Sequence, residues 1–162
     1  MTATHNPQPT IGAQDAKALS QRLAESYKKE SELYGAILDL TQKQRENLEA
    51  SEGVREFISL LQRKEGLIRT IDKLEMLLED DKALWVSFPE DQKAVCSEEL
   101  NRVLDGIIVL IEQIMQVERE NEKLLSARKE AIESELSSVR AGCAAAKEYG
   151  SNAGAKVVSA VS

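Results

Sequence analysis

The sequence predicts an all-α fold, an antiparallel up-and-down bundle of three long helices with coiled-coil-like packing and room for a short fourth. Three observations carry this. Charged residues make up 30% and aromatics 4% of the 162 residues, the balance of amphipathic helices that share a narrow Leu/Ile seam. Apolar residues recur at alternating steps of three and four along most of the chain. Only three prolines occur, and two of them, Pro7 and Pro9, fall in the first few residues. The length suits one domain with its own core.

Residues 1–14 hold Thr, Asn, Pro and Gly12 without apolar periodicity and are expected to form a flexible N-terminal tail. The first helix is expected over about 15–50. Its stripe is Leu19, Leu23, Tyr27, Tyr34, Ile37, Thr41 and Leu48, broadened by Leu33 and Leu40 and interrupted by Glu30 and Gln44. A break follows at Ser51-Glu-Gly53, because Gly disfavours a helix interior by about 1 kcal/mol relative to Ala and Ser is a good N-cap. A turn is the reading taken here, with one continuous helix as its alternative. The second helix, about 52–84, continues the seam with Val54, Phe57, Ile58, Leu61, Ile68, Ile71, Leu74 and Leu78.

The strongest punctuation is Trp85-Val-Ser-Phe-Pro-Glu90. Pro89 disfavours helical geometry in the residue before it, and Ser87 and Glu90 stand at capping-box spacing. A turn and a short helix over Pro89 to Val95 are expected, with Trp85 and Phe88 closing the end of the core. The last helix is expected over about 97–149. Its seam is Leu100, Leu104, Ile107, Ile111, Ile114, Glu118, Asn121, Leu125, Arg128, Ile132, Leu136 and Val139. Val103, Leu110, Val117 and Leu124 widen its first half, and Asn121 is a polar seam residue able to fix register. Residues 151–162, rich in Ser, Ala, Gly and Val, are expected to form a flexible C-terminal tail.

At a rise of 1.5 Å per residue the second helix spans about 50 Å and the last about 80 Å. If the two run antiparallel, the second is used up when the last reaches about Glu130. Ala131 to Tyr149 then overhang with their own stripe of Ile132, Leu136, Val139, Cys143 and Ala146. A lone amphipathic segment of this length is marginal in water and orders when a partner covers it. The alternatives are that it folds back on the first helix, or frays without function. A continuous first helix through Ser51 would also cover it.

Composition narrows the partners. Net charge is −7, so a basic nucleic-acid footprint and attraction to an anionic membrane surface are both disfavoured. The longest apolar run, Ile107 to Ile111, is far short of a membrane span, and the N-terminus lacks a signal-peptide layout. Cys96 and Cys143 have no metal or redox spacing, which fits a reducing cytoplasmic location. The single histidine, His5, lies in the tail, so no His-based triad and no Glu-x-x-His metal pair is available. Glycines are scattered rather than clustered into a phosphate loop. Glutamates such as Glu75 and Glu79, near Lys82, read as a solvated face rather than an acid–base pair. No catalytic, cofactor-binding or metal residues are expected; the chain is read as a protein-binding module rather than an enzyme.

Three segments resemble the FlgN-type flagellar export chaperones of bacteria. One is the leading Leu-, Glu- and Gln-dense helix, followed by a small-residue break and Leu60-Leu-Gln-Arg-Lys64-Glu65-Gly-Leu67-Ile68. The others are Glu120-Asn121-Glu-Lys-Leu124-Leu125 and the closing Ala146-Lys-Glu-Tyr149-Gly150. Together they span about residues 15 to 150; the Gly-, Ala- and Val-rich extension after Gly150 departs from the pattern. The resemblance implies a cytoplasmic chaperone that holds the helical termini of hook-associated proteins, prevents their premature assembly and delivers them to the type III export apparatus. It places partner binding on the last part of the final helix, here Ile132, Leu136, Val139 and Cys143, with Tyr149 as a contact for cargo or export gate. The chaperone reading implies a monomer or weak homodimer; the alternative is a structural or adaptor coiled-coil protein that self-associates through the same seams, as a stable dimer or higher oligomer with residues 131–149 buried between subunits.

Overall fold

A computed structural model describes the backbone of residues 12–161 and the side chains of residues 12–148. Four helices follow in order: α1 (Ala13–Glu49), α2 (Val54–Ser87), α3 (Glu90–Cys96) and α4 (Glu98–Val161). The chain divides into two compact units, 1–120 and 121–162, so α4 contributes residues to both. Of the expected N-terminal tail at 1–14, residues 1–11 lie outside the described residues, and Ala13 and Gln14 already belong to α1, which starts two residues earlier than expected.

The first unit is an all-α bundle, and ion pairs fix its helix directions. Arg22 of α1 meets Asp81 of α2 at 3.1 Å, while Gln44 meets Lys64 at 2.8 Å, so α1 and α2 are antiparallel. Lys28 pairs with Glu99, and Arg45 with Glu120 at 3.0 Å, so α1 and α4 run the same way. The core at one end joins Leu19 and Leu23 of α1, Leu78 of α2, Phe88 and Leu100. Trp85 packs against it, its ring 6.3 Å from that of Phe88, so this pair closes the bundle as expected.

Helix α1 opens with the Asp15 carboxylate accepting from the Gly12 N–H at 3.0 Å, which satisfies an end group and places a negative charge on the first turn. The break after α1 is a turn. The Glu52 N–H reaches the Asn47 carbonyl at 3.1 Å and the Ser51 N–H that of Leu48 at 3.3 Å, while Ser51 adopts φ 53°. This is a Schellman closure with Ser in the left-handed position usually given to Gly. Ser51 therefore ends α1 rather than capping α2; Gly53, at φ −63°, takes the N-cap position.

Two further expectations are corrected. Ser87 does not pair with Glu90 in a capping box; its hydroxyl donates to the Leu84 carbonyl at 2.6 Å, extending α2 to Ser87. The helical backbone of α4 also continues past Tyr149 to Val161, through a stretch expected to be a flexible tail. That stretch contains no proline to stop the helix.

The seam of α2 differs from its sequence reading. Val54, Ile58, Leu61 and Ile68 are exposed, and the buried line runs Leu60, Lys64, Ile71 and Leu78 with Phe57, Leu67 and Leu74 half-buried between. That line keeps perfect alternation of threes and fours. A reading that excludes a charged residue from the core skips Lys64 and slides onto the neighbouring apolar positions. In α1 the stripe holds, and its two polar interruptions, Glu30 and Gln44, are themselves buried.

Candidate functional site

Two features stand apart from ordinary bundle packing: polar layers inside the first unit, and an uncovered apolar stripe in the second. The first layer joins Gln44, Lys64 and Glu118. The Lys64 ammonium donates to Gln44 Oε1 and pairs with Glu118, so a charge that is only 7% exposed is held by two acceptors on two other helices. Burying a lysine without such partners is costly, and this geometry removes most of that cost.

The second layer joins Glu30, Glu75 and Lys82. Glu30 is 2% exposed, and its carboxyl is pushed up to about 7, first by burial and then by a shared hydrogen bond and like charge with Glu75. The Glu75 carboxylate also pairs with Lys82. Burial, followed by these carboxylates, raises the phenols of Tyr27 and Tyr34. Glu75 is thus half-buried beside Glu30, rather than a member of the solvated face expected for it. A raised carboxyl beside a second carboxylate has the ingredients of acid–base chemistry. It lines neither of two clefts among the described residues of the first unit, however. The larger, about 590 Å³, is bordered by Lys17, Ser20, Gln92, Val95, Cys96 and Glu99. The smaller is bordered by Leu40, Lys43, Leu67 and Thr70. Glu30, 2% exposed, is buried at the contact of α1 with α2.

The second unit is one helical stretch. Asn121 is buried, as its seam position predicts, and every side chain from 129 to 148 is exposed. On one face Ile132, Leu136 and Val139 remain 53%, 50% and 63% exposed, and Cys143 is an exposed free thiol. Four of the five predicted partner-binding residues therefore line one face of one helix. The side chain of Tyr149 lies outside the described residues. Charged residues adjoin the stripe: Lys129 continues its stepping towards Leu125, and Glu133 lies beside it, 3.9 Å from Lys129. Sequence reading missed the apolar face of α2 formed by Val54, Ile58 and Leu61, since it assigned them to the core; their stepping was the available signal.

Among the described residues no three His, Cys, Asp or Glu side chains cluster as metal ligands, and no helix is long and apolar enough to cross a membrane. Comparison with protein-family models, curated proteins and solved structures finds no match.

Proposed function

We propose that this chain captures helices, its stripe of Ile132, Leu136, Val139 and Cys143 taking one amphipathic helix from a partner protein. Together with the sequence resemblance, this reading makes the chain a cytoplasmic export chaperone. It would hold the helical termini of hook-associated flagellar proteins, keep them from assembling early, and pass them to the type III export apparatus. The observation that supports it is the exposure of a regularly stepped apolar face on one helix. Such faces on a protein surface mark interaction sites, and a partner helix meets them by side-chain interdigitation.

Covering the remaining exposed half of Ile132, Leu136 and Val139 contributes about 1 kcal/mol each. That sum is small against the cost of association, so binding is moderate and reversible, which suits a protein that must hand its cargo on. Tyr149 then serves as a contact at the end of the stripe, for cargo or for the export gate.

Amide exchange tests this reading. At low micromolar concentration, residues 131–149 exchange fast alone and slow sharply on adding the C-terminal helix of a hook-associated protein. Leu136→Glu weakens that effect at least about tenfold, since it places a charge in the apolar contact. No slowing with any such helix would sink the export reading.

A further inference from the structure

We propose that residues 125–147 of α4 pair with a second copy of this chain as a parallel, in-register, two-stranded coiled coil. Leu125, Lys129, Ile132, Leu136, Val139, Cys143 and Ala146 step by four and three without a break, a full a/d seam of three heptads. Its apolar members are open: Leu125 is 40% exposed and the next three more so. Leu125, Ile132, Val139 and Ala146 take the d positions, and Lys129, Leu136 and Cys143 the a positions.

The charges beside the seam select the occupant and its direction. In a parallel pair each g residue faces the e residue five places later on the other strand. Glu135 at g is followed five places later by Arg140 at e, and Arg128 at g by Glu133 at e. A second copy laid in register thus brings Glu135 to Arg140 on both sides, and Arg128 to Glu133, each of which also holds a contact within its own chain, making four opposite-charge pairs. In the antiparallel arrangement that sets Leu136 against Val139, e faces e and g faces g. Glu133 then meets Arg140 twice, but Glu135 meets Gly142, so only two such pairs form. Lys129, a single polar a residue, meets its own copy across the seam; this specifies register and strand number at a cost in stability, against the pull of Leu136 at a and Ile132 at d towards larger assemblies. The sequence therefore complements itself in one orientation. This inference does not depend on the partner helix proposed above; where both hold, the incoming helix competes with the second copy for one stripe.

Sedimentation equilibrium of the full chain, without any partner, is the test. The expected result is a concentration-dependent monomer–dimer equilibrium. Glu135→Arg weakens it about tenfold by turning two attractive pairs repulsive. Adding Arg140→Glu in the same chain restores it. Orientation is read with a short bismaleimide, which links Cys143 to Cys143 in the parallel dimer and is blocked by Cys143→Ser but not by Cys96→Ser. In the antiparallel arrangement the two thiols lie eleven residues apart along the axis, about 16 Å, out of reach of a short linker. A monomer at all concentrations, a dimer indifferent to both charge changes, or linkage through Cys96 alone each overturns the proposal. The exchange experiment is separate: a dimer that no hook-associated helix disturbs refutes the export reading and leaves this one intact.

Discussion

Glu30 and Lys64 are the residues whose charge state most directly shapes this fold. Glu30 has a folded-state value of about 7 against 4.5 for the free group, so the native state binds more protons than the unfolded chain between those limits. Its contribution is fully present below about pH 4.5 and is lost as pH rises through 7. Glu30→Gln, which keeps the donor and removes the charge, should match the parent near pH 5 and exceed it by about 2 kcal/mol at pH 8. Urea denaturation at both pH values measures the difference; equal offsets would refute the assignment. Lys64→Met should cost about 1–2 kcal/mol, because Gln44 Oε1 is left buried without its donor. Adding Gln44→Leu should recover most of that, since the two side chains form one contact. Both residues show where composition misleads. A glutamate in an apolar stripe reads as an interruption and a lysine as a surface residue, because neither reveals the partner that arrives from another helix.

At the scale of elements, the helices were legible and their joints less so. Periodicity placed α1 and α4 on their correct faces, since Leu and Ile at steps of three and four have one geometric solution. Of the expected α2 seam, Phe57, Ile71, Leu74 and Leu78 lie on the buried line, while Val54, Ile58, Leu61 and Ile68 do not, because the line passes through Lys64 and two overlapping apolar stripes offered a choice that only packing decides. The α1–α2 joint was expected from Gly53, yet the left-handed residue is Ser51, where a side chain carries a steric cost. Ser51→Gly should therefore stabilise the bundle by about 0.5–1 kcal/mol, read as a raised thermal midpoint. An unchanged or lowered midpoint would argue against strain at that position. The candidate site was legible from arithmetic on helix lengths and apolar steps, because an exposed stripe and a buried one obey the same periodicity.

For the whole molecule, burial divides sharply along the chain. The first unit holds nearly all the buried side chains, and from residue 129 onward the described side chains contribute none. Truncation after Lys129 should therefore leave the thermal midpoint within a few degrees of the parent, measured by circular dichroism on dilute protein. The same truncation should abolish both helix capture and dimer formation. A large loss of stability would mean that the terminal segment supports the bundle, and would remove it as a free binding surface.

The placement of the polar layers bears on how this chain avoids folding wrongly. Repetitive helical hairpins have a characteristic trap, in which two strands of the same pattern slide by one heptad and still bury leucines. Here Gln44 meets Lys64, so a slide of seven places would set its amide against Phe57 or Ile71. The misaligned hairpin would then enclose an amide with nothing to bond, and would open again before it could persist. Replacing that layer with leucines should leave a bundle of similar stability that reaches it through a new slow refolding phase, as misaligned hairpins form and dissolve.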